Sequence, residues 1–179
     1  MNLVCKTIST PLGPLLLAAN DDGLAGVWFE DQQDVPRFLP HQASRDLPPR
    51  LPQDLPHEVA RSQRWLDLTE HSLSDYFAGR AMRFEAPRVH LWGTPFERRV
   101  WEQLAALPWG VSTTYGALAA ALEHPRAARP VGAAVGRNPW SIVVPCHRVL
   151  GAQGRLTGYS GGLWRKRELL ALEGLSFRP

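Results

Sequence analysis

Two cysteines in 179 residues are too few for a disulfide-built extracellular scaffold. Cys5 and Cys146 read instead as thiols of a reduced, cytoplasmic protein. No apolar run approaches the roughly 18 residues that a membrane span requires, so no membrane partner is expected. Met1 to Thr10 shows no basic stretch leading into an apolar core, so no signal peptide is expected. Six histidines are scattered along the chain, and Cys5 has no second cysteine nearby. Structural zinc normally takes four ligands, so neither a metal nor a cofactor is expected. No internal repeat or low-complexity tract stands out. What remains is an ordinary globular composition, 44% hydrophobic, with enough apolar surface for a core.

Charge is unevenly divided. Residues 1–93 carry nine basic and twelve acidic side chains, a net of −3, whereas residues 94–179 carry eleven and five, a net of +6. A basic second half beside an acidic first half suggests a polyanionic partner for one end only.

The periodicities divide the chain in the same place. Leu3 to Thr10, Leu15 to Ala19 and Leu24 to Phe29 read as strands, the last two joined by the turn sequence Asn20-Asp21-Asp22-Gly23. Residues 31–56 are rich in Pro, Asp and Gln and read as an exposed, mobile loop. His57 to Phe77 has apolar positions at helical spacing and ends at Gly79. Phe84 to Leu91 reads as a further strand. A domain boundary is expected near Trp92-Gly93, giving domains 1–92 and 93–179. Thr94-Pro95-Phe96-Glu97 is a capping box with proline at the first helical position. Thr114 can cap a second helix through Leu122, and Arg126 to Gly136 reads as a third, rich in small residues. Two short helices joined by a tight turn resemble a helix-turn-helix. Asn138 to Leu150 reads as extended, Gly151 to Gly162 as a glycine-rich loop, and Leu163 to Leu172 as a last helix ended by Gly174.

The most informative stretch is Ile142-Val143-Val144-Pro145-Cys146-His147-Arg148-Val149. It reads as an apolar strand that delivers a cysteine beside a histidine and an arginine. A free thiol is only a few per cent ionised at neutral pH, and nearby positive charge or a basic imidazole raises that fraction. Neighbouring side chains of a regular strand point to opposite faces. His147 then reaches Cys146 only if the chain bends after Pro145 or a water lies between them.

With Pro145 to Val149, the chain resembles the O6-alkylguanine-DNA alkyltransferases, the methylated-DNA–protein-cysteine methyltransferases. The strings Gly93-Thr94-Pro95-Phe96, Ala127-Ala128-Arg129, Gly158-Tyr159-Ser160-Gly161-Gly162 and Glu173-Gly174 follow the family in order and spacing. The resemblance implies a small N-terminal ribonuclease-H-like α/β domain followed by a mostly helical C-terminal domain with the helix-turn-helix. It implies repair by irreversible, single-turnover transfer of an alkyl group from O6-alkylguanine in DNA, with O4-alkylthymine a further substrate. Cys146 would be the acceptor, His147 its base, Glu173 the carboxylate orienting that base, and Tyr115 the phenol assisting the departing guanine. Asn138 would be the hinge between the DNA-binding helix and the active-site strand. Arg129 would fill the gap left by a flipped nucleotide, since a stacked base hides its O6 substituent from a buried thiol. Thr114, Ala127, Ala128, Gly132 and Ala134 would adjoin the minor groove. Val149, Tyr159, Ser160 and Gly161 would shape the base pocket. The implied partner is double-stranded DNA carrying alkylated bases, bound by a monomer with cooperativity left open.

Three residues depart from the family pattern. Pro130 follows the finger arginine, Trp140 is bulky for its place, and Ser141 stands where some relatives carry a second proline. Two other readings compete: a turning-over cysteine hydrolase, and a non-catalytic protein that binds alkylated DNA and signals it.

Overall fold

The computed structural model describes residues 3–32, 35–36, 57–80 and 83–179, and for residues 57–59 the backbone alone. Most of the loop expected at 31–56 lies outside these residues. The chain divides into two compact units. One comprises Met1–Asp31 with Val35–Leu91, and the other Gln32–Asp34 with Trp92–Pro179.

The first unit is a three-stranded antiparallel sheet of β1 (Val4–Ile8), β2 (Leu15–Asn20) and β3 (Gly23–Phe29), in sequential order with β2 in the middle. The β2–β3 hairpin closes because the Asn20 side-chain oxygen accepts hydrogen bonds from the backbone N–H groups of Asp22 and Gly23. Glycine is required at position 23. Its φ is 153°, and a Cβ there would stand 2.2 Å from the Pro87 carbonyl oxygen.

Helix α1 (His57–Phe77) packs on the sheet. Its buried positions Ser62, Leu66, Thr69, Ser72, Leu73 and Tyr76 fall at spacings that put them on one face. The hydroxyls on that face do not go unpaired: Thr69 donates to the Trp65 carbonyl and Ser62 to the Asp21 carboxylate. Gly79 ends the helix at φ 68°, where Arg80 N–H bonds back to the Asp75 carbonyl. The strand expected over Phe84–Leu91 does not form. Only Leu24 and Arg88 bridge, because Pro87 has no N–H and offers its carbonyl alone.

The second unit is mostly helical. Helix α2 (Pro95–Ala105) starts with the full capping box: Thr94 Oγ1 accepts from Glu97 N–H, and Glu97 accepts from Thr94 N–H. A two-residue strand β4 (Thr113–Thr114) leads into α3 (Tyr115–Ala121), with Thr114 as its cap. Helix α4 (Ala128–Gly136) packs against both α2 and α3. The third helix was expected from Arg126 and begins instead at Ala128. Pro130 is then its third residue, where a backbone N–H would have no helical acceptor, so the proline costs little. β5 (Val149–Leu150) pairs in parallel with β4, and α5 (Leu163–Leu172) closes the unit.

The turn between α3 and α4 is held by two bonds, His124 N–H to the Ala119 carbonyl and Glu123 N–H to the Ala120 carbonyl. This arrangement puts Glu123 at φ 62°, a left-handed position that glycine fills without strain. Replacing Glu123 by Gly is therefore expected to stabilise the protein by about 1 kcal/mol. A thermal unfolding curve checks this, and an unchanged or lowered Tm counts against the turn geometry described here.

Candidate active site

The segment expected to be an extended strand, Asn138 to Leu150, is a compact buried turn of which only Val149 and Leu150 are strand. Two prolines, at 139 and 145, remove backbone donors that a strand ladder would need. Asn138 supplies the replacement. Its amide nitrogen donates to the carbonyls of Trp140 (3.2 Å) and Val144 (2.9 Å), and its oxygen accepts from Trp140 N–H (3.1 Å). The same nitrogen lies 3.2 Å from the Cys146 sulfur. Inside this turn Ile142 sits at φ 71°, a strained conformation for a β-branched residue, and is 1% exposed. Cys146 then opens a 3-10 turn, Cys146–Arg148, so the chain does bend after Pro145.

That turn aims two side chains at one carboxylate. His147 Nε2 lies 2.8 Å from Glu173 Oε1. Arg148 donates to Glu173 twice, at 2.6 and 2.9 Å, and a third time to the Leu107 carbonyl. Glu173 is the cap residue of α5, and Gly174 follows it at φ 69°. The side chains of both His147 and Glu173 are fully buried. Burial works against the Glu173 charge, yet the hydrogen bonds from His147 and Arg148 outweigh it and hold the carboxyl down at about 2. Burial also lowers the His147 imidazolium, against the pull of Glu173, which favours the neutral ring. An ionised carboxylate can only accept, so the neutral ring carries its proton on Nε2. Nδ1 is then the basic nitrogen, and it is buried with no partner among the described residues.

The thiol sits in tension. Burial pushes Cys146 upward, while the Asn138 amide, the Lys166 charge and the backbone N–H groups of Cys146 and His147 pull it down. Burial is the largest of these influences and favours the protonated thiol.

The other expected site residues fall into two groups. Tyr159, Ser160 and Gly161 lie on the loop that precedes α5. The Ser160 hydroxyl donates to the Gly136 carbonyl at the end of α4, tying that loop to the helix. The Tyr159 hydroxyl is buried without a hydrogen-bond partner among the described residues, and burial pushes its phenol well up. Tyr115 reaches the same loop, since a Cβ on Gly158 would stand 3.7 Å from its hydroxyl. At the start of α4, Arg129 is exposed, and Ala128 and the cap residue Ala127 are half-buried. Gly132 is half-buried as well, whereas Ala134 does not belong to that surface. A Cβ on Gly132 would touch the Tyr115 ring at 3.6 Å. Ala134 is 2% exposed, and its carbonyl accepts from Trp101 Nε1 at 2.8 Å. The small side chain of Ala134 serves helix packing rather than an open groove-facing surface.

Sequence reasoning passed over three residues. Arg148 was seen as a neighbouring charge, not as a second partner of Glu173. Gln32 accepts from the Ser141 hydroxyl at 2.9 Å across 109 positions, which no local pattern reveals. Lys166 is completely buried within α5. Its signal was available: Lys6 and Lys166 are the only lysines among 20 basic residues. Trp140, whose bulk was unexplained, is a core residue stacked edge-on against Trp101 at 5.7 Å.

Glu173 is the acceptor for two buried side chains, so Glu173→Gln leaves the Arg148 guanidinium without its counter-charge. The expected loss of folding stability is about 3–5 kcal/mol. The wild-type carboxyl is depressed below its unfolded value of about 4.3. The stability it lends is therefore complete above about pH 5 and is lost as pH falls toward the folded value. Urea unfolding across that pH range checks both points, and equal stability of the two proteins would refute them.

Comparison with known proteins supplies the frame. The domain family described as "6-O-methylguanine DNA methyltransferase, ribonuclease-like domain" matches residues 3–88. The one described as "6-O-methylguanine DNA methyltransferase, DNA binding domain" matches residues 95–175. A Mycobacterium leprae protein named methylated-DNA–protein-cysteine methyltransferase is 40% identical over 169 residues, covering 94% of this chain and 91% of the relative. A Salmonella typhimurium protein of the same name is 40% identical over 176 residues, covering 97% of each. Mycobacterium tuberculosis OGT, in a crystal structure in complex with DNA, is similar with a TM-score of 0.75 and 38% identity, covering 94% of this chain and 91% of the other. With both domain families matched in order, and relatives of that name 40% identical over most of the chain, the chain belongs to the methylated-DNA–protein-cysteine methyltransferase family.

Proposed function

We propose that Cys146 is the alkyl acceptor and that His147, Glu173, Asn138 and Tyr115 carry the transfer with it. The protein repairs DNA by moving the alkyl group of an O6-alkylguanine onto a cysteine. The observation that supports Cys146 is its setting. The Asn138 amide touches the sulfur, and the adjacent imidazole has its Nδ1 lone pair free while Nε2 is tied to Glu173.

The thiol proton passes to His147 Nδ1 through a bridging water, because adjacent residues of this turn need not touch. The sulfur then attacks the alkyl carbon, a C–S bond forms, and the C–O6 bond breaks. The electron pair stays on the guanine, and Tyr115 supplies a proton or hydrogen bond as that charge grows. The phenol is raised by burial, so it remains a proton donor at neutral pH. The product is a thioether with no leaving group, so each molecule acts once. Asn138 ties the end of α4 to the thiol turn.

Partner and surface follow from the same reading. The exposed Arg129 enters the duplex in place of the flipped nucleotide, and Thr114, Ala127 and Ala128 adjoin the minor groove. Val149, Tyr159, Ser160 and Gly161 shape the base pocket. The protein acts as a monomer in the cytoplasm, and O4-alkylthymine is a second substrate. Among the described residues no helix is long and apolar enough to cross a membrane.

Incubation with a methylated duplex oligonucleotide, followed by intact-protein mass measurement, tests the reading. A stoichiometric gain of one methyl group on Cys146 is expected, and Cys146→Ser should show none while still binding DNA. Repeated release of methyl points to a hydrolase, and an unchanged mass to a binder; either overturns the proposal. Arg129→Ala should slow repair of duplex DNA by about 10-fold or more, equivalent to about 1.4 kcal/mol, and leave the reaction with free O6-methylguanine unaltered. Duplex repair at the wild-type rate would remove Arg129 from the mechanism.

A further inference from the structure

Main-chain hydrogen bonds set two arginines side by side, close to the expected base pocket. The loop from Gly151 to Gly158 joins Val149 to Tyr159, two residues of that pocket. The loop is closed by Gly151 N–H, which donates to the Arg155 carbonyl at 2.8 Å. Its two ends are clasped by the buried Lys166 ammonium, which donates to the carbonyls of Val149 and Thr157 at 2.5 Å and of Gly158 at 3.1 Å. Residues 154–156 are in turn paired with the segment that follows α5. Leu156 N–H donates to the Arg178 carbonyl at 2.7 Å, and Arg178 N–H to the Gly154 carbonyl at 2.8 Å. These two bonds form a parallel bridge in which Arg155 and Arg178 are register partners.

Register partners emerge on the same face of paired strands, with Cβ atoms about 5 Å apart. Both arginines are exposed, and among the described residues neither guanidinium has a carboxylate within ion-pair distance. Like charges held directly opposite each other repel, which costs the free protein stability. Salt weakens that repulsion, whereas an anion seated between the two groups turns it into attraction. Phosphate is the anion that a pair of planar, five-donor guanidinium groups fits best. The location agrees. Gly151, bonded to Arg155, lies two residues from Val149, at most about 7 Å of chain. A nucleotide turned into the pocket stays joined to its strand through its phosphates, so that strand's backbone passes the pocket mouth.

We propose that Arg155 and Arg178 form a clamp on the DNA phosphate backbone beside the everted nucleotide, separate from the helix-turn-helix. This rests on the reading of Cys146 and its pocket as the site of transfer. The net charge of +6 over residues 94–179 suits the same polyanion. The segment after α5 has a task in this arrangement, since its main-chain bonds bring the second arginine to the first. Phosphate carries no base information, so the clamp holds lesion-bearing and lesion-free duplex alike.

The test measures duplex binding against salt for wild type and for the double variant Arg155→Gln with Arg178→Gln. With a lesion-free duplex oligonucleotide as probe, the double variant should bind about 10-fold more weakly near 0.1 M salt. The slope of log affinity against log salt should shrink by about 0.9 for each arginine removed. A lesion-bearing duplex should show the same loss. The double lysine variant keeps both charges and should keep the wild-type slope. Because the bridge is made by the main chain and its side chains repel, the glutamine variant should unfold at the wild-type Tm or above it. A lowered Tm would mean that the guanidinium groups are satisfied within the protein, and an unchanged slope that they meet no phosphate; either overturns the proposal. Phenylglyoxal labelling of the wild type, read by peptide mass analysis, is an independent check that needs no variant. Duplex DNA should shield Arg155 and Arg178, and full labelling of both in its presence refutes the clamp. Wild-type protein that shows the shielding and the slope but accepts no methyl group would refute the acceptor reading and leave the clamp standing.

Discussion

A single buried carboxylate organises the catalytic half of the molecule. Glu173 accepts hydrogen bonds from His147 and Arg148, and those bonds bring the end of α5 to the thiol turn. Arg148 extends the tie to the Leu107 carbonyl just after α2. Each group alone would be a costly burial, and together they satisfy one another. The arrangement has a chemical consequence as well as a structural one. By occupying His147 Nε2, Glu173 leaves Nδ1 as the basic atom and fixes which way the imidazole can serve.

A protonated, buried thiol is consistent with a protein that reacts once. A sulfur ionised at all times would be open to any oxidant or electrophile reaching the pocket. Here burial suppresses the anion, while Asn138, Lys166 and nearby backbone N–H groups reduce the cost of forming it. In the proposed reading, the neutral imidazole of the next residue, His147, is the group that accepts the proton. The strained backbone at Ile142 belongs to the same design. The turn from Asn138 to Pro145 gives up strand pairing to point an asparagine amide back at the sulfur.

Much of this was legible in the sequence where local rules decide. The α1 stripe, the Thr94 box, the Thr114 cap and the Asn20 hairpin rest on spacings of two to four residues, and each formed as expected. Local rules failed where tertiary partners replaced the regular ones. Phe84–Leu91 has the composition of a strand, but Pro87 limits it to a bridge. Val143 and Val144 read as strand, yet the Asn138 side chain captures the backbone groups a neighbouring strand would have used. Ala134 looked like a groove-facing residue because it is small; only the position of Trp101 shows that it faces inward. The family motif led to Cys146, His147 and Glu173. Arg148, Lys166 and Gln32 were missed because their partners lie 8 to 109 positions away, outside the spacing of a helix turn or a tight hairpin.

The protonation state of His147 is the most direct test of this account. Nitrogen-15 NMR of histidine-labelled protein at neutral pH should show an uncharged ring with its proton on Nε2 and a bare Nδ1. A doubly protonated ring, or a proton residing on Nδ1, would contradict it, because no base would then stand ready for the sulfur's proton.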